Sequence, residues 1–186
     1  MMFYHRAISG ACKAASEQFP VVLLMGPRQV GKTTLVQRLA DKNRRYVTLD
    51  DPVVRTLARQ DPALFLERFE PPVLIDEIQY APDLLPFIKM AVDRRGRKRP
   101  SFWLTGSQQF QLMKGISETL AGRVAILNLL GFSSRERRRR EIDVPPFLPT
   151  ADMLKERMKT GTTLGLKRLY ADIWLGSLPA LATRQV

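Results

Sequence analysis

The stretch at residues 26–33 reads GPRQVGKT and most limits what this chain can fold into. It follows an apolar run, residues 21–25, and precedes a segment with apolar residues at helical spacing, residues 35–40. The stretch matches the pattern G-x-x-x-x-G-K-[ST], in which glycines let the backbone curl so that its N–H groups converge on phosphate oxygens. The helix that follows directs its positive N-terminal end at the same point. A phosphate-binding loop between a buried strand and a helix is therefore predicted.

Further apolar runs predict the other strands of a sheet. Continuous runs at residues 73–75, 102–104 and 124–127 are typical of strands buried on both faces of a parallel sheet, whereas residues 46–49 alternate and favour a position nearer an edge. Helical segments separate these runs, which favours right-handed strand–helix–strand crossovers. We therefore predict an α/β fold with a mostly parallel sheet in a three-layer α/β/α domain over about residues 18–132.

The chain length of 186 residues is typical of about one domain. We predict a core over residues 1–135, which begins with a helix at residues 1–17, and a linker with a helical tail over residues 136–186. Prolines stiffen the linker at residues 145–149, and helices are predicted at residues 152–159 and 166–175.

A carboxylate pair, Asp76 and Glu77, ends the predicted strand at residues 73–75. This arrangement is the Walker B pattern. Asp76 is predicted to hold Mg²⁺ through water opposite Thr33, and Glu77 to orient or deprotonate an attacking water. The alternative is that Glu77 only caps a turn or is solvated. The pair gains specificity from its order after the phosphate-binding loop.

The strand at residues 102–104 also ends in small polar side chains. We expect this strand to lie between the two strands that carry the loop and the carboxylates, so that its end faces the γ-phosphate. Thr105 or Ser107 is then the candidate sensor of the γ-phosphate, with Gln108 as a runner-up for placing water. A plain turn with helix caps is the alternative.

Arg123 stands just before the final predicted strand. Its planar guanidinium suits the spreading charge of a transferred phosphoryl group, supplied either within the chain or across a subunit boundary. A surface or salt-bridged arginine is the competing interpretation.

The candidate site residues fall into three groups. Lys32 is expected to reach the β- and γ-phosphates. The predicted nucleotide-binding residues are Gly26, Pro27, Arg28, Gln29, Val30, Gly31, Lys32, Thr33 and Thr34. The predicted Mg²⁺ ligands are Thr33 and Asp76, and the predicted catalytic residues are Glu77, Ser107 and Arg123.

The formal net charge of +12 is unevenly distributed. Residues 1–93 carry 12 basic and 11 acidic side chains, whereas the second half holds almost all the basic excess. The run at residues 135–140, RERRRR, predicts a solvated or interface helix that a capping box from Ser133 and Glu136 begins. Contact with a nucleic-acid backbone or an anionic membrane surface is the alternative.

The remaining composition bears on compartment and metal type. One cysteine, Cys12, excludes an internal disulfide, and one histidine, His5, disfavours a zinc site. We see no secretory signal and no apolar run long enough to span a bilayer, so a cytoplasmic location is expected.

Together the motifs resemble one family, the prokaryotic AAA-type ATPases that carry a C-terminal domain of unknown function. The resemblance covers about residues 4–135. It is carried by residues 26–35, 49–52, 75–79, 104–108 and 120–123 in this order. The resemblance implies a five-stranded AAA-like core that binds ATP and Mg²⁺ and hydrolyses ATP to ADP and phosphate, coupled to an unknown conformational or partner-directed step.

This chain departs from the family that it resembles in one respect, because members of that family are longer. Residues 176–179, GSLP, look like the opening of their helical C-terminal domain. A truncated product or one piece of a split gene is therefore expected, with a protein partner or oligomer that stays unidentified. The alternative function is a nucleotide-binding or nucleic-acid-binding module with little or no turnover.

Overall fold

A computed structural model of the chain describes residues 3–95, 102–107, 110–139, 149–161 and 164–182. The described residues form two compact units: the sheet unit, from those within residues 8–130, and the helical unit, from residues 3–7 and the described residues from 131 onward. The prediction for Gln108 and most of the proline-rich linker predicted at residues 145–149 lie outside the described residues.

The sheet unit is built on a parallel sheet of five strands within the described residues. The strands are β1 (Val21–Met25), β2 (Arg45–Thr48), β3 (Val73–Asp76), β4 (Phe102–Gly106) and β5 (Val124–Asn128). Their order is β2-β3-β4-β1-β5, and each neighbouring pair is parallel. The predicted α/β class, the edge position of β2 and the place of β4 between β1 and β3 are confirmed. The carboxyl ends of β1, β3 and β4 therefore meet at one edge of the sheet.

Helices cover both faces of the sheet, because apolar side chains of β1, β3 and β4 point to both. The helices of this unit are α1 (Ser9–Gln18), α2 (Lys32–Leu39), α3 (Pro52–Gln60), α4 (Pro62–Arg68), α5 (Leu84–Arg95) and α6 (Phe110–Thr119), with a 3₁₀ turn at Ile78–Tyr80. Side chains of α3 to α6, such as Phe65 and Ile88, join one face of the sheet in the main core. Helices α1 and α2 contact β1.

The helical unit is organised around a buried carboxylate. Its helices are α7 (Ser134–Arg137), α8 (Ala151–Thr160), α9 (Leu166–Leu175) and α10 (Pro179–Ala182). The predicted capping box of Ser133 and Glu136 is confirmed. Glu136 also accepts hydrogen bonds from the Ala7 N–H at 2.8 Å and from Arg6 Nε at 3.1 Å. Residues 3–7 therefore join this unit, and α1 begins at Ser9 rather than at the chain start.

The arginine run is largely engaged within its own unit. Arg137 and Arg138 form ion pairs with Asp172 of α9 at 2.9 and 2.6 Å. Arg137 also donates to the backbone carbonyls of Asp172 and Gly176 near the end of α9, each at 3.2 Å, where cations are favoured by the helix dipole. These two guanidinium groups thus bind a neighbouring helix instead of forming a continuous charged surface.

Helix α9 leaves its apolar side exposed. Leu166, Tyr170 and Ile173 are each about two-thirds exposed or more, and Trp174 is 93% exposed. Among the described residues, no helix combines the length and apolar character needed to cross a membrane.

Candidate functional site

The loop between β1 and α2 adopts a conformation that depends on glycine. Gly26 has a φ of 154° and Gly31 a φ of 89°, and Gln29 between them also has a positive φ of 65°. A Cβ built on Gly26 would lie 2.1 Å from the carbonyl oxygen of Leu129, well inside van der Waals contact. Since the loop passes this close to the backbone after β5, only glycine fits at position 26. The curled backbone leads directly into the N-terminus of α2.

Lys32 lies buried inside this loop. Its Nζ donates hydrogen bonds to the carbonyl oxygens of Pro27 at 2.8 Å and Gly26 at 3.1 Å. Burial lowers the pKa of its ammonium group, and nearby Arg28 lowers it further, whereas Glu77 and Asp76 act in the opposite direction. The ammonium group of Lys32 is therefore partly desolvated and bound to neutral carbonyl oxygens. An anionic ligand in the loop would give it stronger, charge-assisted hydrogen bonds.

Asp76, the last residue of β3, accepts hydrogen bonds from three hydroxyl groups. Thr33 Oγ1 donates to its Oδ2 at 2.8 Å, Tyr46 Oη donates to the same oxygen at 3.0 Å, and Thr105 Oγ1 donates to Oδ1. Burial raises the pKa of the Tyr46 hydroxyl to about 12, with the Asp76 charge and hydrogen bond adding to the effect, so this donor keeps its proton at neutral pH. The predicted pairing of Thr33 with Asp76 is present in the geometry.

This donor set fits a magnesium ion. Mg²⁺ prefers oxygen ligands and is commonly bound by one or two carboxylates together with waters and substrate phosphates. Asp76 and Thr33 offer a carboxylate and a hydroxyl at the mouth of the loop. In the described ranges no cluster of three or more His, Cys, Asp or Glu side chains is arranged to hold a metal ion. A metal here would therefore depend on phosphate oxygens for much of its coordination.

Glu77 follows Asp76 in a left-handed backbone conformation, with φ 60° and ψ 48°. Its N–H donates to Thr105 Oγ1 at 3.1 Å. Its carboxylate accepts a hydrogen bond from the side-chain amide of Gln79, and the amide oxygen of Gln79 accepts from the Ser107 N–H at 3.2 Å. The structure thus brings Glu77 and Ser107 to the same edge, joined through Gln79.

A cavity of about 370 Å³ opens beside the loop, between it and the end of β3. Four acidic or basic side chains line it, two of each sign. Its lining residues are Arg28, Gln29, Gly31, Lys32, Thr33, Thr34, Asp50, Glu77 and Tyr80. Most of the predicted nucleotide-binding residues therefore surround a space of the size that small-molecule sites occupy.

Arg123 lies elsewhere, and its predicted role within one chain is incompatible with the geometry. It immediately precedes β5, whose first residue pairs with Val21 at the start of β1. The five-residue strand β1 separates that edge from the loop by roughly 13 Å, at about 3.3 Å per residue. Arg123 forms an exposed ion pair with Asp93, at 2.6 Å between Nε and Oδ1. A residue before a parallel strand always falls at the edge opposite to the residues that follow the strands.

Several site residues were not predicted from the sequence. Tyr46 lies on β2, and only the strand order places its hydroxyl beside Asp76. Gln79, Asp50 and Tyr80 stand in turns whose side-chain directions depend on the fold. A useful signal was available for Gln79, since it follows the carboxylate pair by two residues on a turn.

Comparison with known proteins places these observations in a family. A family model described as an AAA domain matches residues 18–137. Uncharacterised proteins of Mycobacterium tuberculosis and Mycobacterium bovis are each 39% identical over 138 residues, which cover 73% of this chain and 31% of theirs. The chain thus spans about a third of the length of these curated relatives.

Among solved structures, the Walker-type ATPase of Pyrococcus abyssi has a similar fold, with a TM-score of 0.58 and 17% sequence identity. The match covers 97% of this chain and 66% of that one.

Proposed function

The chain belongs to this family of AAA domains, and we propose that it binds MgATP and hydrolyses it to ADP and phosphate. The observation that carries the proposal is the contact between the Thr33 hydroxyl and the Asp76 carboxylate, 2.8 Å apart. It joins the phosphate-binding loop to the acidic strand end, beside a cavity that also contains Glu77.

In this proposal, separate groups of the chain bind the phosphates and the Mg²⁺ ion. The N–H groups of the loop and the N-terminus of α2 hold the phosphates, and Lys32 moves from the carbonyls of Gly26 and Pro27 to phosphate oxygens. Thr33 and Asp76 hold Mg²⁺, which neutralises charge on the phosphates when it is bound.

Glu77 is proposed to accept the proton of the attacking water. Its carboxylate lines the cavity and its backbone is held by Thr105, so its direction is defined before any ligand enters. Ser107 is proposed to respond to the γ-phosphate from the end of β4. Arg123 lies at the opposite edge of the sheet and does not act on the phosphates of its own chain in this scheme. We propose that it contacts the nucleotide phosphate bound to a neighbouring copy of the chain.

Hydrolysis would drive a conformational step directed at a protein partner or at another copy of the chain, in the cytoplasm. The engagement of Arg137 and Arg138 with Asp172 argues for a structural use of the arginine run over contact with a nucleic-acid backbone.

Phosphate release by purified protein tests the proposal. We expect Glu77→Gln to lower turnover roughly a hundredfold or more, because a positioned general base commonly contributes about 10²–10⁴ in rate, while MgATP binding is kept. Glu67→Gln, an exposed glutamate on α4, is the matched control and should turn over like the wild type.

Lys32→Ala defines the background from contaminating ATPases. Wild-type phosphate release no greater than that of Lys32→Ala would refute hydrolysis by this chain. Authentic turnover that survives Glu77→Gln unchanged would remove Glu77 from the mechanism.

A further inference from the structure

Glu77 is held in a conformation that ordinary residues avoid. A left-handed backbone is uncommon at a residue other than glycine and persists where surrounding contacts enforce it. Here the Glu77 N–H is bound by Thr105 Oγ1 at 3.1 Å, and its carbonyl oxygen accepts the Tyr80 N–H at 3.0 Å. Both ends of the residue are therefore anchored, which leaves the side-chain torsions as the main freedom of the carboxylate.

One side chain restricts that remaining freedom. The Gln79 amide nitrogen donates to Glu77 Oε2, and the Gln79 amide oxygen accepts from the Ser107 N–H at 3.2 Å. A glutamine is suited to this bridge because its amide is donor and acceptor at once. Glutamate would lose the donor, and leucine would lose both groups.

The two ends of the bridge belong to different strands. Glu77 follows β3, whereas Ser107 follows β4, which lies between β3 and the loop-bearing β1. The backbone at Ser107 therefore lies at the edge where a bound phosphate would make contact. A displacement there changes the position of the Gln79 amide, and with it the hydrogen bond on Glu77.

We propose that Gln79 is a positioning residue that couples the Glu77 carboxylate to the backbone at Ser107. Occupation of the phosphate end of the cavity is thereby transmitted to the group that accepts the proton from water. This inference rests on the proposed function and adds its regulation: Gln79 contributes to the rate of the chemical step and not to nucleotide affinity.

The test compares two substitutions of Gln79 with a control. Gln79→Leu removes both hydrogen bonds, and Gln79→Glu keeps an acceptor for Ser107 but places a second carboxylate against Glu77. Gln60→Leu makes the same change at an exposed position at the end of α3. We expect kcat to fall about tenfold to a hundredfold for both Gln79 variants, in line with the cost of a misplaced catalytic group, with KM for ATP and the Kd of a fluorescent ATP analogue within about twofold of the wild type.

A double-mutant cycle separates positioning from general structural support. Single-turnover cleavage of radiolabelled ATP is measured for Gln79→Leu alone and on the Glu77→Gln background. If Gln79 acts through Glu77, the second substitution causes no further loss once Glu77 is replaced.

Three other outcomes would overturn the inference, and each identifies a different reason for its failure. Wild-type kcat in Gln79→Leu refutes the coupling alone. A parallel loss of kcat and nucleotide affinity, or a further loss on the Glu77→Gln background, shows that Gln79 supports the fold and not Glu77. Absence of wild-type turnover above the Lys32→Ala background refutes the proposed function itself, and the coupling to catalysis with it.

Discussion

Substitution of Gly26 by alanine measures how strongly the phosphate-binding loop depends on its close approach to the backbone after β5. The new Cβ would lie 2.1 Å from the Leu129 carbonyl oxygen and 3.1 Å from its carbonyl carbon. Contacts below about 3 Å do not persist, so the loop or the segment at Leu129 must shift by roughly 1 Å. Both partners are backbone, which leaves no flexible side chain to absorb the change.

Two costs add in this variant. The φ of 154° at Gly26 lies in a region that side chains strongly disfavour, at about 1–3 kcal/mol. Overpacking commonly costs another 1–3 kcal/mol or so. We therefore expect the free energy of unfolding to fall by about 2–6 kcal/mol. For a chain of this size each kcal/mol lowers Tm by about 2–4 °C, so Tm should fall by at least about 4 °C.

Thermal unfolding followed by circular dichroism, with MgATP binding measured in parallel, provides the assay. Gly10→Ala is the matched control: Gly10 lies in α1, and apart from its chain neighbours and the backbone of its own helix no atom lies within 4 Å of the position its Cβ would take. Alanine is favoured over glycine inside a helix by roughly 0.5–1 kcal/mol, so this variant should be slightly more stable than the wild type. A Gly26→Ala protein with wild-type Tm and wild-type nucleotide affinity would refute the argument from backbone crowding.

Two further predictions concern titratable groups. Burial raises the pKa of Glu136, but hydrogen bonds from the Ser133 and Ala7 N–H groups and the charge of Arg6 outweigh it and hold this pKa below 4.5. Its contribution to stability is therefore present above about pH 4.5 and lost as the pH falls through its lower native pKa. Urea unfolding at pH 6 and pH 3.5 should show a smaller loss on acidification for Glu136→Gln than for wild type, and equal losses would contradict this account. Burial raises the pKa of the Cys12 thiol to about 11, two units above its ordinary 9.0, so its native reaction with iodoacetamide at pH 8 should be roughly a hundredfold slower than in urea, from the smaller thiolate fraction alone. A native rate equal to the unfolded rate would show that the thiol is accessible.

The sheet and the loop were predictable because each depends on local sequence. The run at residues 21–25 is continuously apolar, and all five side chains are buried in β1. The loop that follows, together with Asp76 at the end of another buried run, indicated where phosphate and metal would lie. These predictions needed only the rule that parallel strands end at a common edge.

The remaining site residues depend on geometry that the sequence does not encode locally. Tyr46 reaches Asp76 because β2 lies beside β3, and strand order is a tertiary property. Gln79 reaches both Glu77 and Ser107 only through the left-handed turn at Glu77. Arg123 was assigned from its neighbours along the chain, whereas its position at the start of a parallel strand places it at the opposite edge.

The two tryptophans of the chain occupy contrasting environments, one in each compact unit. Trp103 on β4 is 4% exposed, whereas Trp174 on α9 is 93% exposed. An indole shielded in a sheet emits at shorter wavelength than one in water and is protected from acrylamide. Intrinsic fluorescence therefore contains two separable signals without any added label: a quenchable red component that reports on α9, and a shielded blue component that reports on the interior of the sheet, where Trp103 pairs with Val22 of β1.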